Sequence, residues 1–68
     1  MKQFVIYRDL NMSNLGFDPF TDKFEADKQT ALDFVKHLSL LFPRDRFALQ
    51  EFGKSGWVWK GAYICANN

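Results

Sequence analysis

The residue types that could carry out catalysis are few in this chain, and they lie far apart in the sequence. His37 is the only histidine, and Asp33 precedes it by four residues, a spacing that allows a surface hydrogen bond or ion pair on a helix. Cys65 is the only cysteine, and no basic cluster lies near it in the sequence to favour the reactive thiolate. No serine, second cysteine or further acid has a catalytic spacing to either residue. The sequence therefore predicts a protein that is not an enzyme.

Metal and cofactor sites are equally poorly represented. A metal site needs three or four His, Cys or carboxylate ligands at motif spacing, and one His with one Cys does not supply them. Asp18, Asp22 and Glu25 could hold a hard cation, but their spacing does not match a calcium loop. The four glycines are too widely spaced to form a phosphate loop. We expect no metal and no cofactor, and we interpret the acidic stretch either as solvated surface or as an edge that docks on a basic protein surface.

Binding chemistry is better represented, in the last strand pattern at residues 57–65. Alternation along a strand puts successive side chains on opposite faces of the sheet. One face carries the aliphatic residues Val58, Ala62 and Ile64, and the other carries the aromatic residues Trp57, Trp59 and Tyr63. Aliphatic side chains usually fill the space beneath a helix. We therefore expect the aromatic residues to lie on the face of the sheet that the helix leaves open, beside Tyr7.

Three interpretations of this aromatic face remain open. The loop at residues 11–20 could fold over the rings and bury them. The rings could instead form a protein interface, because Trp and Tyr supply large contact area with few rotors to freeze. They could also stack against nucleic-acid bases. The basic side chains of this region would then contact the phosphates, namely Arg44, Arg46, Lys54 and Lys60. No RNA-recognition consensus is present, so a protein partner is favoured, and self-association is one form of it.

The clearest element is a helix over residues 27–42. Apolar residues recur at three- and four-residue spacing and predict one buried stripe, formed by Ala31, Phe34, Val35, Leu38, Leu41 and Phe42. Asp27 suits the N-cap position, and Pro43 ends the helix. Leu40 falls opposite the stripe, which indicates either that the helix unwinds before it or that it contacts a partner.

The remaining patterns are strands. Residues 2–8 include four consecutive apolar residues, as expected of a central strand. Alternation over residues 20–26 allows a short strand before the helix. Residues 46–52 and 57–65 read as strands joined by a glycine-containing hairpin loop. The order predicts a single α+β domain over residues 1–68, in which one helix packs on a three- to four-stranded, mainly antiparallel sheet.

Composition limits the partners and the compartment. The chain has 68 residues and a net charge of +1, which gives no global attraction to nucleic acid or to an anionic membrane. A single cysteine fits a reducing compartment, and neither a signal peptide nor a membrane-spanning apolar run is found in the sequence. We expect a cytoplasmic protein, acting in the host cytoplasm if a phage encodes it.

Two resemblances bear on function. The strand–loop–helix opening, in which Ala26 and Asp27 lead into Ala31 and Leu32, resembles small antitoxin-type domains. In size and in its lack of catalytic residues, the chain is similar to accessory proteins of phages and mobile elements, including anti-CRISPR inhibitors. This second resemblance implies an inhibitor or regulator that occludes a larger protein. We expect Trp57, Trp59, Tyr63 and Tyr7 to contact the partner, with Asp18, Asp22 and Glu25 tuning its choice; the alternative is a nucleic-acid-binding module.

Overall fold

The computed structural model of the protein describes residues 1–13 and 15–61. The elements, in chain order, are β1 (Lys2–Asp9), a short 3-10 helix (Leu10–Met12), β2 (Asp18–Pro19), β3 (Phe24–Ala26), α1 (Lys28–Leu41), β4 (Arg46–Glu51) and β5 (Trp59–Lys60). One α-helix packs on an open sheet whose strand pairs, within the described residues, are all antiparallel. The predicted α+β fold is confirmed.

Strand β1 lies at the centre of the sheet. It pairs with β4 on one side, and with both β2 and β3 on the other, while β5 pairs with the far side of β4. Between β2 and β3, the segment that connects them makes hydrogen bonds to the backbone of β1 at Ile6. Phe20 N and Thr21 N donate to Ile6 O, and Ile6 N donates to Thr21 Oγ1. This central position accounts for the run of apolar residues at 4–7.

The hydrophobic core lies between the helix and one face of the sheet. The sheet contributes Phe4, Ile6, Phe47 and Leu49, and the helix contributes Ala31, Val35 and Leu38, all of them buried. Ile6 lies opposite Leu49 in the β1–β4 register, so alternate residues of both strands reach the helix. The other residues of these strands face away from it.

The ends of the helix agree with the sequence prediction. Helix α1 begins at Lys28 and ends at Leu41, with Asp27 at the N-cap position and Pro43 two residues beyond the end. The Asp27 side chain makes no capping hydrogen bond, and its extended backbone alone breaks the helix. The predicted position of Asp27 is confirmed, but its side chain does not satisfy a helical N–H group.

The face that the helix buries was predicted only in part. Ala31, Val35 and Leu38 are buried, but Phe34, Leu41 and Phe42 are exposed, so the prediction of a six-residue buried stripe is wrong for these three. The helix is instead rotated so that Leu32 packs against the core and Ser39 is buried, with Ser39 Oγ donating to Val35 O. The reason lies at the β3 edge of the sheet. Phe24 fills the space beside Phe4, and Phe34 rests edge-on against Phe24 at the rim.

Leu40 remains helical, so the prediction that the helix unwinds before it is wrong. Its side chain is 65% exposed. Among the described residues, no helix is long and apolar enough to cross a membrane.

The β4–β5 hairpin turns through two glycines. Gly53 and Gly56 have φ values of 86° and 82°, in the left-handed region that glycine adopts without a steric penalty. Strand β5 is formed by Trp59 and Lys60, and the later part of the predicted last strand, residues 62–65, lies outside the described residues. The hairpin predicted from the glycine-containing loop is confirmed.

Candidate binding site on the open sheet face

The face of the sheet opposite the helix, called here the open face, is defined by the strand registers. Val5, Tyr7 and Asp9 of β1 lie opposite Gln50, Ala48 and Arg46 of β4, and Lys60 of β5 lies opposite Ala48. These residues alternate with those that form the core, so they project to the other side of the sheet. The open face is therefore a mixture of apolar and charged side chains.

The Trp57 ring contacts two other rings on this face, and we call Tyr7, Phe17 and Trp57 the aromatic cluster. The Trp57 ring centroid lies 5.4 Å from that of Tyr7, in an edge-to-face arrangement, and 5.3 Å from that of Phe17. Tyr7 and Phe17 are half-buried, whereas Trp57 is 41% exposed. Such ring pairs contribute about 0.5–1.5 kcal/mol beyond the area they bury. The cluster thus holds Trp57 in one orientation while leaving much of its surface in water.

Basic side chains lie against the rings of the open face. Arg46 Cζ lies 5.1 Å from the Phe17 ring centroid, and Lys60 Nζ lies 5.5 Å from it. Just beyond the end of β4, Phe52 is 53% exposed, and Lys23 Nζ lies 4.2 Å from its ring centroid. These distances fall within the range of cation–π attraction. The face therefore presents two basic–aromatic positions, one at Phe17 and one at Phe52.

A buried carboxylate fixes the end of the sheet beneath Phe17. Asp9 is fully buried, and its Oδ2 accepts hydrogen bonds from Arg46 Nε at 3.2 Å and from Arg46 Nη2 at 2.7 Å. Ser13 Oγ donates to Asp9 Oδ1, and Asn11 N donates to Asp45 Oδ1 at 2.7 Å. These bonds tie the loop after β1 to the start of β4. They position the loop whose later residue, Phe17, completes the aromatic cluster.

The loop only partly covers the open face. Phe17 packs on Trp57, and Phe20 packs edge-on against Phe47 in the core, so these two aromatic residues hold the loop against the protein. Trp57 nevertheless keeps a large exposed surface. The aromatic face is therefore neither fully buried by the loop nor fully exposed.

The placement of Trp59 on the open face is wrong. Trp59 lies opposite Leu49 in the β4–β5 register and packs against the hydrophobic core. The register is fixed by two backbone bonds, from Val58 N to Leu49 O and from Gly61 N to Phe47 O. A residue opposite Leu49 must share the face of Leu49, and this outweighs the general preference for aliphatic residues under a helix. Val58, predicted to be core, also packs against the core cluster.

The other predicted binding residues are separated from one another. Tyr63 lies outside the described residues. Asp18 lies opposite Arg8 in β2, and Glu25 lies opposite Gln3 in β3, so the acidic residues follow the outer edge of the sheet beside β1. Asp18, Asp22 and Glu25 are exposed and form no ion pair with any described residue. Among the predicted residues that the structure describes, Tyr7 and Trp57 are the pair whose rings are in contact.

Three residues of the open face were missed from the sequence, namely Phe17, Lys23 and Phe52. The sequence does hold a signal for Phe52, because the alternation of Ala48, Gln50 and Phe52 puts them on the other face of the sheet from Leu49. Phe17 lies in a loop without periodicity, and only contacts to distant residues position it. No group of three His, Cys, Asp or Glu side chains within the described ranges could hold a metal ion.

Comparison with known proteins adds no further information. No family model matches the chain, and neither a curated protein nor a solved structure matches it.

Proposed function

We propose that this chain is a small non-enzymatic domain that binds another protein through the open face and regulates or inhibits that protein by occluding it. The observation that carries this proposal is the exposure of Trp57, which two other rings hold in place on the sheet face that the helix does not cover. The single cysteine fits a reducing compartment such as the cytoplasm, where we propose that the domain acts.

The physical support is that the aromatic cluster has the properties of an interface anchor. Residues that dominate binding energy are enriched in Trp, Tyr and Arg, and they lie in well-packed surroundings. A tryptophan that neighbouring rings already hold loses little rotamer freedom on binding, so less of the interaction free energy is lost to ordering. Phe52, which directly follows β4, adds a second exposed apolar side chain.

A nucleic-acid interface is the second candidate, and one observation favours it. Arg46 and Lys60 both lie close to the Phe17 ring, which combines phosphate-binding groups with an aromatic residue. A second observation argues against nucleic acid. Lys60 lies near the Phe17 ring and Lys23 lies over the Phe52 ring, and these are the rings on which a base would stack. A base would have to displace these lysines. This favours a protein partner over nucleic acid.

The test is selection from a displayed library of random peptides against the wild-type chain and two variants. Trp57→Ala removes the anchor, and Leu41→Ala is the matched control because Leu41 is an exposed apolar residue on the helix. We expect peptides that bind the wild type and Leu41→Ala but lose at least about tenfold in affinity for Trp57→Ala, the range of an interface hot spot.

Circular dichroism of both variants checks that they keep the helix and the fold. Failure to recover any peptide that depends on Trp57 would contradict the proposal. A random-sequence single-stranded DNA, titrated in parallel, tests the second candidate. Its affinity should fall steeply with salt if it binds through phosphate contacts.

A further inference from the structure

The charges of the open face are not balanced among its exposed groups. Lys23 and Lys60 are exposed, and neither forms an ion pair with a described residue. Arg46 is neutralised by Asp9, which is fully buried and cannot meet a partner. Glu25 is the exposed carboxylate that the register assigns to this face, at its outer edge opposite Gln3. These three exposed groups, two lysines and one glutamate, therefore carry a net charge of +1.

The two lysines are also restrained by the rings. Lys60 Nζ lies near the Phe17 ring, and Lys23 Nζ lies over the Phe52 ring. Both lysines are exposed, so an ammonium group that contacts a ring on one side can still bind an anionic partner on the other. Restraint before binding reduces the entropy that a salt bridge to a partner would lose.

We propose that the partner presents a segment with carboxylates on either side of an apolar or aromatic side chain. This inference rests on the proposed function, and it names the chemistry of the partner. The apolar side chain would contact Trp57, and the carboxylates would meet Lys60 and Lys23. This predicts an acidic partner segment. The acidic stretch of Asp18, Asp22 and Glu25 would instead select a basic partner.

The two lysines lie on opposite sides of β4. Lys60 is in β5, which pairs with β4, whereas Lys23 directly precedes β3, which pairs with β1. The two basic positions are therefore separated across the sheet, with the aromatic cluster and Phe52 on the same face. A partner segment that meets both lysines must carry its carboxylates on either side of the residue that contacts the rings.

The experiment uses the peptides that depend on Trp57 and measures their affinity for charge-reversed variants. The variants are Lys60→Glu and Lys23→Glu, and the control is Lys36→Glu, which reverses an exposed charge on the helix. We expect the selected peptides to be acidic, with Asp or Glu on both sides of an apolar or aromatic residue. Their affinity should fall about threefold to tenfold in each open-face variant, and it should not change in Lys36→Glu. Lys60→Gln should lose less than Lys60→Glu, because it removes the attraction without adding repulsion.

Each other outcome has a distinct meaning. Selected peptides that depend on Trp57 but are neutral or basic would overturn this inference while leaving the proposed function intact. Acidic peptides whose affinity is unchanged in Lys60→Glu and Lys23→Glu would also overturn it. The absence of any peptide that depends on Trp57 would instead refute the proposed function, and this inference with it. Binding of single-stranded DNA that is lost in both lysine variants would show that the basic positions serve phosphates and would overturn a protein partner.

Discussion

Asp9 and Arg46 join the end of β1 to the start of β4, and at the scale of single residues they should matter most for stability. The Asp9→Asn variant keeps the size of the side chain but removes the negative charge that two Arg46 nitrogens contact. Breaking a buried ion pair is strongly destabilising, but the Arg46 side chain is 27% exposed and recovers some hydration. We expect the free energy of unfolding to fall by about 2–3 kcal/mol, measured by urea denaturation.

The control for this variant is Asp22→Asn, which removes an exposed carboxylate that has no ion pair among the described residues. Its free energy of unfolding should stay within about 0.5 kcal/mol of the wild type. Equal stabilities for the two variants would mean that the Asp9–Arg46 pair does not hold the sheet end as described.

Single residues of the candidate site were predictable only where a strand pattern assigned them to a face. Tyr7 and Trp57 were expected as neighbours, and their rings are in contact. Phe17 could not be predicted, because its position depends on the bonds of Ser13 to Asp9 and of Asn11 to Asp45. Asn11 and Asp45 are 34 positions apart in the sequence, and no local pattern encodes that contact.

At the scale of elements, the two tryptophans of the second hairpin arm have different roles: Trp59, in β5, is structural, and Trp57, before β5, is exposed. Trp59 packs against the core, and Trp57 contacts two rings on the open face. Trp59→Ala should lower the free energy of unfolding by about 2–3 kcal/mol, below the full cost of a buried tryptophan because Trp59 is half-buried. Trp57→Ala should cost about 1 kcal/mol, the size of a ring-pair contribution.

Two further variants separate the tryptophans by fluorescence. With Trp59→Phe, the remaining Trp57 should emit at longer wavelength and be quenched readily by iodide or acrylamide. With Trp57→Phe, the remaining Trp59 should emit at shorter wavelength and be protected. Reversed signals would restore the original expectation that Trp59 lies on the open face.

The helix shows why its ends were predictable and its rotation was not. The period of the apolar residues, Asp27 at the start and Pro43 beyond the end are local signals, and the helix lies within them. Which of the apolar residues become buried depends on what the sheet presents beneath the helix. Phe24 occupies the rim beside Phe4, so Phe34 stays exposed and Leu32 turns inward. That outcome requires the strand pairing and cannot be read from the helix alone.

At the scale of the whole molecule, both layers expose apolar side chains. Phe34, Leu40 and Leu41 are exposed on the helix, while Phe52 and Trp57 are exposed on the sheet side. A chain of 68 residues cannot bury everything, because small domains bury about 60% of the surface that the unfolded chain exposes. The core of a domain this small rarely supplies more than about 3–5 kcal/mol of net stability. Asp9→Asn and Trp59→Ala, when combined, should therefore remove nearly all of the free energy of unfolding.

The combination Asp9→Asn with Trp59→Ala tests this limit. Asp9 lies opposite Arg46, and Trp59 lies opposite Leu49, so the sites are three residues apart along β4, or about 10 Å. They share no contact among those described above, and distant independent changes add. The summed loss of about 4–6 kcal/mol matches or exceeds the expected stability. Each single variant should therefore fold at 25 °C, whereas the double variant should show an unfolded circular dichroism spectrum and collapsed amide dispersion in nuclear magnetic resonance. A folded double variant would have one of two explanations: the core is more stable than its size predicts, or one of the two residues contributes less than its contacts indicate. The denaturation curves of the single variants distinguish these two explanations.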